Sequence, residues 1–223
     1  VDGIVLAIVN AFQKKQKGHV HLGSGRFADD IPVSFNRTVN SYNQNPEVKK
    51  YTFEQRHLAV DREMTLLKFT NDQGEDIGSV NWFAVHTTSL PNTYTKICSD
   101  NKGFAAEMLE QDIRKRSPDY IAAFAQGACG DVSARAKYNP KLPFQRGKYE
   151  GVYPDDLKSS KFNGQLQYEK AREINDSASQ ATGEGLDFVQ QYIDFSQIDI
   201  RPEFVNGQDG CVTSGSVMGI AFL

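Results

Sequence analysis

Residues 64–86 read MTLLKFTNDQGEDIGSVNWFAVH, and this stretch decides the fold. Residues 64–69 are rich in β-formers, Asn71-Asp-Gln-Gly74 carries turn chemistry, and a second apolar run covers residues 77–85. Two such runs around a polar turn predict an antiparallel hairpin. The second run, GSVNWFAVH, is nearly continuous in apolar character, which suits a buried strand better than an edge strand. His86 stands where that strand ends.

Downstream, Ser99-Asp-Asn-Lys-Gly103 leads into FAAEMLEQDIRKR. Phe104, Met108, Leu109 and Ile113 share one helical face, so the spacing predicts a loop entering a helix that Pro118 ends. Residues 120–125 (YIAAFA) read as a short strand running into Gln126-Gly-Ala-Cys-Gly-Asp-Val-Ser133. Beyond Pro140 the chain is loop-rich. A helix is expected over residues 163–175, a break at Gly183 and Gly185, and a strand-like segment over 186–200. The last ten residues, SGSVMGIAFL, stay apolar to the terminus, as if a domain were cut within an element.

Upstream, Val1, Ile4, Val5, Ile8, Val9 and Phe12 recur at helical spacing, with Asp2 near the start and basic residues before Gly18. Residues 23–31 are turn-rich, and residues 35–45 are polar enough to suggest an ordered loop. Hairpin, helix and strand–loop–helix units together indicate an α/β (mixed α+β) domain, sheets with flanking helices, present here as an incomplete domain.

The 223 residues, 39% hydrophobic, can bury a substantial core. A net charge of −3 and a pI near 5.8 give no electrostatic reason to expect nucleic acid as a partner. The basic cluster KKQK at residues 14–17 reads as a solvated helix end. No apolar run approaches the ~20 residues that span a bilayer. The opening VDGIVLAIVNAF lacks the basic segment and the cleavage site of a signal peptide. Cys98, Cys129 and Cys211 lack metal-ligand spacing and define no disulfide framework, so the redox compartment stays open.

Two places stand out for chemistry. An imidazole at the C-terminal end of a buried strand, as at His86, is well placed for function, although a lone histidine among apolar residues is more often structural. His19-Val-His21 would set two imidazoles on one face of a strand, a weak metal signal. The second place is the turn after residues 120–125. Its glycines permit close backbone approach, its amides can donate to an oxyanion, and Ser133 and Asp131 add a hydroxyl and a carboxylate. A tight polar turn explains the same residues. Nothing around Cys129 lowers its pKa recognisably, which leaves no support for a cysteine nucleophile.

Taken together and in this order, six segments carry a resemblance: VDGIV at residues 1–5, Asn36-Arg-Thr-Val-Asn-Ser-Tyr-Asn-Gln-Asn-Pro46, EMTLLKF at 63–69, NWFAVH at 81–86, SDNKG at 99–103 and GDVS at 130–133. The chain resembles the neutral ceramidases through most of its first 135 residues. The resemblance implies a zinc-dependent amidase acting on the N-acyl bond of ceramide. It implies that His86 is a histidine ligand of a catalytic Zn2+, that Ser133 is the essential serine, as nucleophile or substrate-holding group, and that Arg37 lies near the scissile amide. Asp131 would shape the turn. The family's first zinc histidine, in an HTHSGPGG motif, precedes the segment aligned with residue 1, and its glutamate and tyrosine ligands follow residue 223. The remainder of the polypeptide is thus required to complete the zinc site, and the 223-residue chain alone is expected to be inactive. A ceramide or sphingolipid substrate, peripheral membrane contact and a secreted or cell-surface location are further implications.

Departures from the family pattern are Thr38-Val39 for Ser-Pro, Ala134-Arg135 for Pro-Asn, and Thr87 for glycine. They keep open a non-catalytic paralogue that binds sphingolipid or a protein partner. A serine hydrolase using Ser133 with another His–Asp pair is a third reading.

Overall fold

The computed structural model describes residues 1–135, 137–139, 141, 149–183, 185 and 187–216. It divides into two units, residues 1–182 and 183–223.

The predicted hairpin forms the middle of the first unit's sheet. Strand β3 (Glu63–Asn71) pairs antiparallel with β4 (Asp76–Phe83), and Gly74 takes the positive φ of 82° that the turn between them requires. Strand β1 (Gly18–Arg26) pairs antiparallel with β3. Strand β5 (Ile121–Gln126) lies parallel to β4 on the other side. With the two-residue strand Gln180–Ala181 on the far side of β1, the sheet runs β5-β4-β3-β1 and then that strand. The second run of the hairpin is therefore an interior strand, as its apolar character requires.

Parallel pairing of β4 and β5 demands a crossover. Helix α3 (Asp100–Ile113) supplies it, as the periodicity of its apolar residues predicts. Helix α4 (Asp156–Ser177) packs beside α3 over the same face of the sheet. Between them lie Met64 and Leu66 of β3, Phe83 of β4, Leu109 and Ile113 of α3, Ala171 and Ile174 of α4, and Tyr120, nearly all of them solvent-free. The Phe27 and Phe83 rings sit 4.7 Å apart in this core. The opposite face of the sheet is less protected: Trp82 and Ile121 are both exposed.

Several expectations need correction. Helix α4 begins seven residues before the position the sequence suggested. Its first turns bury Ser159, Ser160, Asn163 and Gln167, so no apolar stripe announces them. Residues 23–31 are only partly turn: β1 continues to Arg26, because Gly23 and Gly25 lie where α4 crosses and a side chain would strike Ile174. The polar stretch 35–45 contains β2 (Phe35–Asn36) and the short helix α2 (Val39–Tyr42). Helix α1 (Asp2–Gln13) forms as predicted but buries none of its residues.

In the second unit the expected strand over 186–200 forms no ladder among the described residues. It holds a 3-10 turn at Phe195–Gln197 and a single bridge from Asp199 to Val212, and Phe188, Val189 and Tyr192 are exposed. A second 3-10 turn spans Pro202–Phe204. Residues 217–223, most of the apolar terminal run, and residues 142–148 of the loop-rich segment lie outside the described residues. No helix among the described residues is long and apolar enough to cross a membrane.

Candidate active site

The site forms where the parallel strands end. Beyond β4, Ala84 and Val85 are buried, and His86 emerges at the surface, half-buried. Beyond β5, Gly127 turns back, its amide donating to the Phe83 carbonyl at 3.1 Å. A side chain there would meet the Phe83–Ala84 backbone at about 3.1 Å, so glycine permits the approach. The Gly-Ala-Cys-Gly-Asp turn then delivers β6 (Val132–Ser133), which pairs antiparallel with β2: Phe35 faces Ser133 and Asn36 faces Val132.

Three residues far apart in sequence meet one stretch of backbone here, residues 130–133. Arg37, next after β2, donates its amide to Asp131 O at 2.8 Å, and its Nη2 donates to Gly130 O at 2.9 Å. Ser133 is 8% exposed, and its Oγ accepts a 3.0 Å bond from the Arg135 amide. The His86 amide lies 3.3 Å from Val132 O, and its ring Nδ1 lies 2.9 Å from the same oxygen. A carbonyl only accepts, so Nδ1 carries a proton. In the neutral ring Nε2 then keeps its lone pair, which is the arrangement of a metal-ligating histidine tied by a backbone carbonyl.

Asp131 does shape the turn. Asn36, fully buried, donates through Nδ2 to Asp131 Oδ2 at 2.7 Å and to Ala59 O at 3.0 Å, while its Oδ1 accepts from the Thr38 amide at 2.8 Å. The departures at 38–39 and 134–135 fit locally. Val39 and Ala134 are buried, and the Arg135 guanidinium reaches Ser89 O and Tyr149 O. Asn36-Arg-Thr38 and Asn175-Asp-Ser177 fit the N-glycosylation pattern, but both asparagines are buried, at 0% exposure each, which closes them to that modification in the folded chain.

Beneath the site lies a buried polar layer that sequence reasoning missed. Asp100, Asn101 and Lys102 open α3, and all three are buried. Lys102 Nζ donates to Phe83 O at 3.1 Å and Ala125 O at 2.9 Å, capping the ends of both parallel strands. Burial pushes this lysine down to about 8, and nearby Cys129 opposes the shift. The motif SDNKG contained the signal, but polar residues at a helix entry look like solvated caps.

The weaker candidates separate from the site. His21 Nε2 lies 3.0 Å from Thr70 Oγ1, and His19 faces Asp72 at 3.7 Å, both on β1. The three cysteines are free. Among the described residues no group of three or more His, Cys, Asp or Glu side chains could hold a metal. His86 therefore fits a metal as one donor, through Nε2.

The match to the family described as neutral/alkaline non-lysosomal ceramidase, N-terminal, covers residues 1–223. The neutral ceramidase of Pseudomonas aeruginosa is 34% identical over 208 residues, which cover 93% of this chain and 28% of that protein. The Mycobacterium tuberculosis neutral ceramidase is 32% identical over 92% of the chain, and the Oryza sativa subsp. japonica one 27% over all of it. The crystal structure of the Pseudomonas aeruginosa enzyme superposes with a TM-score of 0.73 over 93% of this chain and 30% of that one. A structure described as ceramidase complexed with C2 gives 0.75 at 33% identity. The chain spans 28% to 39% of the length of the first curated relatives. Segment order, strand-end histidine and paired β2/β6 turn thus coincide with a match running from the first residue to the last, and the chain belongs to the neutral/alkaline non-lysosomal ceramidase family.

Proposed function

We propose that this chain supplies part of the active site of a zinc-dependent amidase that hydrolyses the N-acyl bond of ceramide to sphingosine and a fatty acid. The observation that supports the reading is the shared backbone of residues 130–133, which carries Ser133 and accepts hydrogen bonds from both Arg37 and His86. His86 contributes one zinc ligand through Nε2, and the other donors come from the remainder of the polypeptide. When bound, the metal supplies Lewis-acid polarisation of the amide carbonyl or ionisation of a water.

The chain's own residues do the rest. Arg37 is held against Gly130 O, and its guanidinium offsets negative charge developing on the tetrahedral oxygen. Ser133 Oγ already accepts from the Arg135 amide, so its hydroxyl proton is directed elsewhere, toward the substrate in either of the serine's roles. A substrate that resides in bilayers calls for peripheral contact with a membrane surface, and a secreted or cell-surface location is part of the same reading.

The test is His86→Ala in the full-length protein, with ceramide turnover and bound zinc measured together. Turnover should disappear and zinc content should fall; full activity in this variant sinks the assignment. Arg37→Ala should cost about 10²–10³-fold in turnover, the usual cost of losing one group that stabilises an oxyanion, with the fold intact. Ser133→Ala should likewise cripple turnover without unfolding the chain.

A further inference from the structure

The loop following His86 is gripped from below by two consecutive residues of α3. Asn101 Nδ2 donates to His86 O at 3.0 Å and to Ser89 Oγ at 2.9 Å, while its Oδ1 accepts from Gln167 Nε2 at 3.1 Å. Asp100 Oδ2 accepts from the Leu90 amide at 3.0 Å, and Oδ1 accepts from the Asn101 amide and from Ser160 Oγ at 2.7 Å. Every donor and acceptor of the Asn101 amide group is committed, and its exposure is 0%.

Asp100 also holds a backbone conformation that few non-glycine residues adopt, with φ at +54°. Such strain persists only when surrounding structure over-determines it, and it collects at functional positions. Here its consequence is geometric. A left-handed residue at the helix entry turns two successive side chains onto one loop, which a regular helix start would point about 100° apart. Asp100 takes the Leu90 end and Asn101 the His86 end. Gln167 and Asn163 of α4 continue the layer, and Asn163 Nδ2 reaches Val33 O, just before β2.

We infer that Asp100 and Asn101 form a bracket that orients the His86 imidazole, making Asn101 a positioning residue for that ring; the inference rests on the reading of His86 as an Nε2 ligand. The ring is aimed through its own backbone. Its amide end leans on Val132 O through a bond of 3.3 Å, whereas its carbonyl end is fixed by Asn101 at 3.0 Å. Freeing the carbonyl end lets the ring leave Val132 O, and with that bond goes the preference for a proton on Nδ1.

The test reads the tautomer directly, without metal or substrate. In the uniformly 15N-labelled 223-residue chain, long-range proton–nitrogen spectra of His86 at alkaline pH should show the ratio shifted roughly tenfold toward the Nδ1–H form relative to a free histidine side chain, as one net hydrogen bond provides. Asn101→Asp keeps the shape and removes the donor to His86 O. It should return the ratio to that of a free histidine side chain, which favours Nε2–H. Asp100→Asn tolerates the same backbone and keeps one acceptor oxygen, so it stays folded; it should give an intermediate ratio. Leu109→Ala, a cavity in the core remote from the loop, should leave the ratio unchanged. A wild-type ratio retained in folded Asn101→Asp and Asp100→Asn overturns the bracket. An Nε2–H ring in the wild type overturns instead the reading of His86 as a ligand.

Discussion

At the scale of single residues, the least expected group is Lys102. Its ammonium is 6% exposed, and its hydrogen-bond partners among the described residues are the Phe83 and Ala125 carbonyls and the Gln167 side-chain oxygen. Burial lowers its pKa from 10.5 to about 8, so between these values the folded chain has released a proton that the unfolded chain still binds. Stability therefore rises with pH across that window, by at most about 3 kcal/mol. Tyr120 acts in the opposite sense above pH 10: burial pushes its phenol up to about 12, and there the unfolded chain binds fewer protons. Stability should peak near pH 10. Denaturant titrations at pH 7.5 and 9.5 should show the rise, and Lys102→Met should flatten it. An equal rise in the variant would assign the effect to another group. Of the three candidate residues, Arg37 was legible only through the resemblance. His86 and Ser133 stood out by their strand-end and turn settings, but nothing local showed that Arg37 would bond to the backbone of Gly130 and Asp131. Asp100, Asn101 and Lys102 were invisible as buried residues, because composition records polarity and not the carbonyls waiting to receive it.

At the scale of elements, legibility followed the side chains that face the core. The β3–β4 hairpin and α3 bury apolar residues at strand or helical spacing, so both announced themselves. The start of α4 did not, since its inward face there is Ser159, Ser160, Asn163 and Gln167, all hydrogen-bonded. β1 was hidden by its glycines, which are there for room. The same logic makes Gly164 the pivot of the α3–α4 contact. A Cβ at this position would sit 2.7 Å from Asn101 O and 2.8 Å from Phe104 Cβ. Helix propensity favours alanine over glycine by about 1 kcal/mol, but the nearest obstacle is backbone, which yields only by separating the helices. Gly164→Ala should lose about 1–3 kcal/mol, the usual cost of overpacking. Chemical denaturation settles the sign, and a variant as stable as wild type would show that α3 can move away freely. Because the displaced oxygen belongs to Asn101, the substitution should also disturb the loop at residues 86–90.

At the scale of the whole molecule, the decisive contact is the one between β2 and β6, two strands of two residues each. Nothing in their sequences carries a period, and only the family order of motifs hinted that they belong to one site. What the sequence does carry at this scale is an apolar inventory larger than the described core consumes. At and just before α1, Val1, Ile4, Val5, Ile8, Val9 and Phe12 are exposed by 43% to 98%, although their spacing predicted the helix that forms, and Leu6 is exposed beside them. Contiguous apolar surface of this kind drives association in water. The 223-residue chain should therefore self-associate, with an apparent mass in sedimentation that rises with concentration. Ile8 and Phe12, at 65% and 68% exposure, bury nothing, so glutamate at both positions should leave the unfolding free energy within about 0.5 kcal/mol of wild type. The same double substitution adds two negative charges to a chain already at −3 and interrupts the stripe, which should shift the sedimentation profile toward monomer. If Ile8→Glu with Phe12→Glu lowered stability by several kcal/mol, α1 would have to be packed in solution, and its apolar periodicity would then describe a core-facing helix after all.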